Sequence, residues 1–318
     1  MPSWLRSLAF DRSPSAAKAL SGLKAHTAEP NPVAVGVALL QNSSVETLEL
    51  GPLAKLPPFA PVVIRLLRLF DRDEVEQAEI ARLVEADPAL TAEILGVVNS
   101  PLYAIRGRVT SPAHGVAMLG VEQMKALATT LAMRALLSGS PKTPIVRRFW
   151  KHSVASAAIA QEMAPLFTVD KGLGYIAAMV HDLGRIGLLA AHGEAYGSLA
   201  TTVHQSVEEI LEIERTRFGM DHCHAGALLS RAWGLPKSLR EGVKHHHDEC
   251  SDRRILGLVQ LSCRLANGFM FQSILHRNPH TPAETMESFV PKAMHQDLTA
   301  RLQSLELAAF QTIESFDF

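Results

Sequence analysis

The sequence predicts an all-α protein, and three observations carry that reading. Apolar residues recur at helical spacing from Leu56 onward, and no alternating run is long enough to make a strand. The composition leans on Ala and Leu, with aromatic residues at 6%, which favours helices over strands. Asp-Pro, Ser-Pro and Thr-Pro pairs stand where apolar periodicity begins, at Asp87-Pro88, Ser111-Pro112 and Thr143-Pro144. A short polar side chain can cap a helix there, and Pro is tolerated as its first residue.

Taken in order, residues 1–49 mix Pro, Ser and Gly with short apolar stretches such as Val33–Leu40 and read as an N-terminal extension. Its first residues carry Arg6, Asp11 and Arg12, which break any signal-peptide core. A short amphipathic anchor through Trp4, Leu5, Leu8 and Phe10 is the alternative to a frayed terminus. Val62, Val63, Leu66, Leu67 and Phe70 then mark one helix, and Ile80, Leu83 and Val84 a second. The helix opening at Asp87-Pro88 runs through Leu90, Ile94, Leu95 and Val98 and stops at Asn99-Ser100-Pro101. A long pattern from Val116 through Leu119, Val121, Met124, Leu127, Leu131 and Leu136 follows, with Gly120 as a break. Ser138-Gly139-Ser140-Pro141 interrupts it and sets a boundary near 138–143. The chain thus divides into the extension 1–49, a first helical half over 50–140, a second bundle over 141–276 and a tail over 277–318. In the tail Leu298, Leu302, Leu305 and Leu307 predict one more amphipathic helix, packed back on the bundle or forming a contact between two copies.

Composition excludes several function classes. The chain has 318 residues, 47% apolar and 20% charged, enough for a large core and unlike a disordered segment. A net charge of −1 disfavours a globally basic nucleic-acid binder. Small basic patches remain, at Arg106-Gly-Arg108 and at Arg147-Arg148 beside Trp150-Lys151. Three cysteines, Cys223, Cys250 and Cys263, are too few for a disulfide scaffold and suit a reducing cytoplasm. No uninterrupted apolar run reaches the roughly 18 residues of a membrane span.

The chemistry concentrates in the second bundle. Nine of fourteen histidines lie between His152 and His247. His181-Asp182 follows the apolar run Tyr175–Val180, and Gly184 and Gly187 after it allow a close backbone approach. His152, His222 and the run His245-His246-His247 fall on other helices, which is how bundles assemble sites from facing side chains. His222 shares a face with Gly226 and Leu229, so His224, two residues on, points outward. Of three consecutive histidines, one or two can reach a shared centre. Imidazoles and a carboxylate suit Fe, Mn, Zn or Ni, and a carboxylate can bridge two ions.

The order His152, His181-Asp182, His222, His246-His247 resembles the HD superfamily of helical metal-dependent phosphohydrolases. In particular it resembles the regulatory HDOD branch, related to the HD-GYP cyclic-dinucleotide phosphodiesterases. Leu56-Pro57-Pro58, Asp87-Pro-Ala-Leu-Thr91, Leu95 to Asn99-Ser100, Tyr103, Thr110-Ser111 and Leu119-Gly120 are similar to the N-terminal half of HDOD domains. Trp233-Gly-Leu-Pro236 is similar to the later half, and the likeness spans about residues 50–270. It implies metal ligands at His152, His181, Asp182, His222, His246 and His247, holding one or two divalent ions. Two departures stand out. The superfamily's closing Asp is replaced by Cys263, and Glu249-Cys-Ser-Asp-Arg253 takes the place of a Gly-Tyr-Pro signature. Arg185 stands where HD-GYP enzymes usually have Lys and is the candidate phosphate contact.

The resemblance therefore implies a bacterial signal-transduction module acting through protein contacts or ligand sensing, with a vestigial or structural metal site. The alternative is a metal-dependent phosphohydrolase acting on a nucleotide or cyclic nucleotide. Expected partners are a signalling protein, a nucleotide second messenger and a second copy of the chain. Nucleic acid is not expected, and so many imidazoles also permit a pH switch.

Overall fold

The computed structural model describes residues 50–69, 72, 74–100, 103, 105, 107–138, 143–249, 254–278, 280–289 and 298–316. The expected extension over 1–49, most of the interruption at 138–143, Phe70, Arg106 and Cys250 lie outside the described residues. Within them the chain is helical with no strand, as the sequence predicts; two single residues, His204 and His276, form an isolated bridge.

A 3-10 turn, Gly51–Lys55, precedes α1 (Pro61–Arg68), α2 (Gln77–Glu85), α3 (Pro88–Val98), α4 (Pro112–Leu119) and α5 (Val121–Ser138). The helix starts form through the expected capping chemistry. The Asp87 carboxylate accepts from the Ala89 and Leu90 amides, the Ser111 hydroxyl from His114, and the Thr143 hydroxyl from Val146. Gly120, at φ +83°, makes the break between α4 and α5, a backbone that a residue with Cβ rarely adopts. Asn99 closes α3 and also clamps the later chain: its amide donates to the Val109 carbonyl while its oxygen accepts from the Val109 amide, both at 2.8 Å.

The second half holds α6 (Pro144–Met163), α7 (Lys171–Val180), α8 (Leu183–His192), α9 (Glu194–Thr201), α10 (Val207–Phe218), α11 (His222–Ala232), α12 (Lys237–His245) and α13 (Arg254–Gly268). Fourteen of the twenty residues of α6 are buried, which makes it the central helix. It packs along α7, α13 and the last helix, α15 (Leu298–Ser315); α14 (Pro282–Phe289) lies against α13. On α15 the residues Leu305, Ala308, Ala309, Thr312 and Ile313 face inward, while Leu307 and Phe310 are exposed.

The two halves share one core. A hydrophobic cluster runs from Leu53 to Phe316, α5 packs on α7, and Thr130 hydrogen-bonds the Tyr175 hydroxyl at 2.9 Å across that contact. The 3-10 turn docks on α8, where Lys55 Nζ donates to the Ala191 carbonyl. The stretch Lys171–His192 meets the length and hydropathy of a membrane span, yet 83% of its most apolar window is buried inside the bundle, and the break between α7 and α8 falls in its middle.

Candidate functional site

That break carries His181 and Asp182. His181 ends α7, and Asp182 is the residue before α8. An Asp in that place ordinarily accepts from the first-turn amides, but Asp182 makes no such bond and turns its carboxylate to the bundle interior. Gly184 brings α11 close enough to meet it. A Cβ there would overlap the His222 carbonyl and the Gly226 amide, and one at Gly187 would overlap Leu229. The close approach expected of these glycines is what sets His222 beside the dyad.

Four imidazoles surround Asp182. Its Oδ1 lies 3.5 Å from His222 Nε2 and 3.3 Å from His246 Nε2. Its Oδ2 lies 3.5 Å from His152 Nε2 and 3.9 Å from His181 Nε2. Two groups of ligand-type atoms result, each within 4.8 Å: Asp182, His222, His246 and His247 on one side, and His152, His181 and Cys263 on the other. His245 turns away to Asp248 at 2.6 Å and His224 is exposed, so two of the three consecutive histidines reach the centre. The turn that carries them is held by buried Gln260 of α13, whose amide donates to the carbonyls of His245, Asp248 and Glu249.

Each inner imidazole is oriented from behind. Nδ1 of His152 donates to the Phe271 carbonyl, that of His181 to Ala178 and that of His246 to Val243. His222 Nδ1 meets the Glu214 carboxylate at 2.6 Å. A carbonyl or carboxylate oxygen only accepts, so Nδ1 carries the proton and Nε2 faces the centre, the arrangement found behind metal-bound histidines. Asp182 Oδ1 and His247 Nε2 are buried and have no hydrogen-bond partner. A buried polar atom left unpaired is costly, and an ion placed among these atoms would satisfy both.

Sequence reasoning did not find Glu214. It is fully buried and also takes the His222 amide at 2.9 Å, Arg185 Nη1 at 3.1 Å and the Tyr196 hydroxyl at 2.7 Å. A signal existed: on α10 Glu214 falls three and four residues after buried Leu211 and Ile210, a charge on the apolar face. Cys223 was also missed, with Sγ 3.8 Å from His222 Nε2 and 3.9 Å from His246 Nδ1. Arg185, the candidate phosphate contact, is buried and spends Nε on Asp182 Oδ2 at 3.0 Å and Nη1 on Glu214. Among the basic patches, Trp150 lies in the core and Arg148 donates to the Ala200 carbonyl.

The electrostatics follow from burial and these partners. Burial pushes His152 down to about 4 against the pull of Asp182, and drives His181 and His247 well below the usual imidazole range. Burial alone would raise Asp182, but Arg185 and His181 outweigh it and hold the carboxyl well below the usual range. For Glu214, His222 and Arg185 overcome burial and bring it to about 2. Burial and Arg185 act to lower His222, yet Glu214 and Cys223 lift it to about 9. Cys223 goes the other way: burial opposes ionisation, and His246 and His222 bring it to about 6. Cys263, in the place of the superfamily's closing Asp, is raised by burial and stays a thiol.

An all-helical bundle with one aspartate ringed by buried imidazoles at a helix junction is the arrangement that the resemblance to the HD class implies. Within that class the chain belongs to the HDOD domain family, which matches residues 56–249. Among solved structures it is similar to an HDOD domain protein of unknown function from Geobacter sulfurreducens, at 21% identity and TM-score 0.69, covering 90% of this chain and all of that one. A provisionally named signal transduction protein of Marinobacter aquaeolei VT8 aligns at 19% identity and TM-score 0.63, over 82% of this chain and 59% of that one. A provisionally named phosphohydrolase of Shewanella amazonensis SB2B aligns at 16% identity and TM-score 0.58, over 87% of this chain and 98% of that one. At these identities the likeness is one of fold. A curated relative, an uncharacterized protein of Treponema pallidum (strain Nichols), is 20% identical over 196 residues, 61% of this chain. The chain spans 38% of that relative's length.

Proposed function

We propose that the protein is a cytoplasmic signal-transduction module that works through contacts with a signalling protein or by sensing a ligand, and that its histidine centre holds a structural metal rather than turning over a substrate. The observation that carries this reading is the enclosure of the centre. Five of the six ligand-type residues, His152, His181, Asp182, His222 and His246, are each at most 5% exposed, His247 is half-buried with its Nε2 enclosed, and the carboxylate that an active centre would share with water and substrate is already engaged by the Arg185 guanidinium. Hydrolysis at a metal needs an open position for water and phosphate, and buried Arg185 has turned Nε and Nη1 to carboxylates. The donor set itself fits an ion: Nε2 atoms converge, Nδ1 atoms are anchored, and two buried polar atoms lack hydrogen bonds. His152, His181, Asp182, His222, His246 and His247 are the proposed ligands of one or two Fe, Mn, Zn or Ni ions. When bound, such an ion would bind the packed helices α6, α7, α11 and α12 together through its ligands.

Metal analysis of untagged protein prepared without chelator tests this. About one or two ions per chain are expected, absent from the His181→Ala, Asp182→Ala double variant, with thermal stability falling when the ion is stripped. Background metal in both proteins after reconstitution would overturn the proposal. One observation favours the second reading, a metal-dependent phosphohydrolase: Asp182 presents one oxygen to each group of ligands, the position of a bridging carboxylate.

A further inference from the structure

The outer side of the α11–α12 hairpin carries a second feature with its own chemistry. Trp233-Gly-Leu-Pro236 turns the chain between the two helices, with Gly234 at φ +68°. Leu239 and Val243 of α12 and Ala225 and Leu229 of α11 point to the core. The opposite faces enclose a depression of about 340 Å³ lined by His224, Arg231, Lys237, Arg240 and Lys244, with Glu241 as the one carboxylate. The spacing explains the convergence: His224 and Arg231 are seven residues apart on α11, and Lys237, Arg240 and Lys244 follow each other by three and four on α12. Four permanent cations therefore face one carboxylate in a concave site. His224, Arg231, Lys237 and Lys244 are exposed at its rim, whereas Arg240 lies deeper, and its Nε is buried with no hydrogen-bond partner. Exposed lysines and a half-buried guanidinium thus line a basic depression, where an anion would bring the acceptors.

We propose that this depression binds the phosphate of a nucleotide-sized anion. Phosphate offers several oxygens to donors arriving from different sides, and guanidinium forks match it with paired hydrogen bonds. A carboxylate would leave most of the donors unused. A nucleic-acid track would need an extended groove and stacking rings; this site is bounded by two short helices, and among its lining residues the only ring is the His224 imidazole. The site also stands next to the histidine centre. His222 opens α11 on the inner side, and His246 and His247 directly follow α12. An anion clamped between the helices would thus act on both elements that carry those side chains, a link that rests on the function proposed above, although the binding itself does not.

Fluorescence anisotropy of N-methylanthraniloyl-GTP with the intact chain tests the proposal, in EDTA and again after metal loading. Expected is saturable one-to-one binding in both, displaced by pyrophosphate but not by guanosine, and weakened as salt rises. Lys237→Glu with Lys244→Glu, both exposed and so harmless to folding, should weaken it at least about tenfold, and Arg240→Gln by about tenfold. Binding that survives these changes, or no saturation at millimolar probe, would overturn the assignment. Binding only with metal loaded would place the anion at the histidine centre instead. Displacement by a single-stranded 20-mer far more effective than by pyrophosphate would reassign the face to nucleic acid.

Discussion

Glu214→Gln is the sharpest perturbation of the centre, because it changes a charge while keeping a shape. The carboxylate is fully buried and accepts four hydrogen bonds, from His222 Nδ1, the His222 amide, Arg185 Nη1 and the Tyr196 hydroxyl. Both of its oxygens face donors, so the amide nitrogen of Gln must meet an N–H or O–H at either end. If it takes the Oε1 side, the Tyr196 hydroxyl can rotate to accept, but Arg185 is left half-paired in the interior. If it takes the Oε2 side, two N–H groups of His222 confront it. Removing one partner from a buried ion pair costs about 3–5 kcal/mol. The electrostatics agree: holding a carboxyl at about 2 against an ordinary value of 4.5 corresponds to about 3 kcal/mol. That stabilisation is present above pH 4.5 and is lost as pH falls towards 2. Denaturant unfolding of the metal-free chain at pH 7, followed by helical circular dichroism, should show the variant about 3 kcal/mol less stable, with a shallower loss below pH 4.5. Metal affinity should fall about 10–100-fold as the His222 ring loses its anchor. A variant within 1 kcal/mol of the parent and equally retentive of metal would refute the argument that Glu214 positions the centre.

Three further outcomes follow from the same geometry. Gly184→Ala should cost at least about 3 kcal/mol or prevent folding, because the new methyl meets backbone atoms of α11 that cannot yield; Gly96→Ala, where nothing lies within 4 Å, should be neutral or stabilising by up to about 1 kcal/mol, and thermal melts distinguish the two. Gln260→Ala should lower stability by about 2 kcal/mol and release metal faster in a chelator chase, since it frees three carbonyls at the turn carrying His246 and His247. In the metal-free chain, His152 is buried neutral and held near 4, whereas the unfolded residue takes a proton near 6.5; stability should therefore fall by about 3 kcal/mol between pH 6.5 and 4, and His152→Asn should flatten that segment of the stability–pH curve.

Much of this architecture was legible in the sequence because its determinants are local. The caps at Asp87, Ser111 and Thr143 and the break at Gly120 are set by residues next to one another, and helical spacing alone marks α1 to α5. His181 and Asp182 are legible for a different reason, because they follow an apolar helical run that carries them inward, whereas His152, His222, His246 and His247 are implied by the resemblance of their order to the HD superfamily. The Phe271 carbonyl and Gln260 were not legible, since their roles arise from contacts between different elements, 119 residues apart in the case of Phe271 and His152; Glu214 showed only as a charge on an apolar face, with nothing local to name Arg185 and Tyr196 as its partners. Arg185 shows the same limit. The resemblance makes it a candidate phosphate contact, and the sequence alone does not show that the fold also brings Asp182 and Glu214 within its reach, where a guanidinium in a dry interior pairs with the carboxylates it can touch.

The most direct test of the central claim is turnover by the metal-loaded protein. Fe- and Mn-loaded chains would be assayed against bis-p-nitrophenyl phosphate, nucleoside phosphates and cyclic dinucleotides, beside the His181→Ala, Asp182→Ala variant. A closed structural centre gives hydrolysis no faster than the variant, while metal remains bound. Metal-dependent hydrolysis that disappears in the variant would contradict that account and establish the centre as an active site.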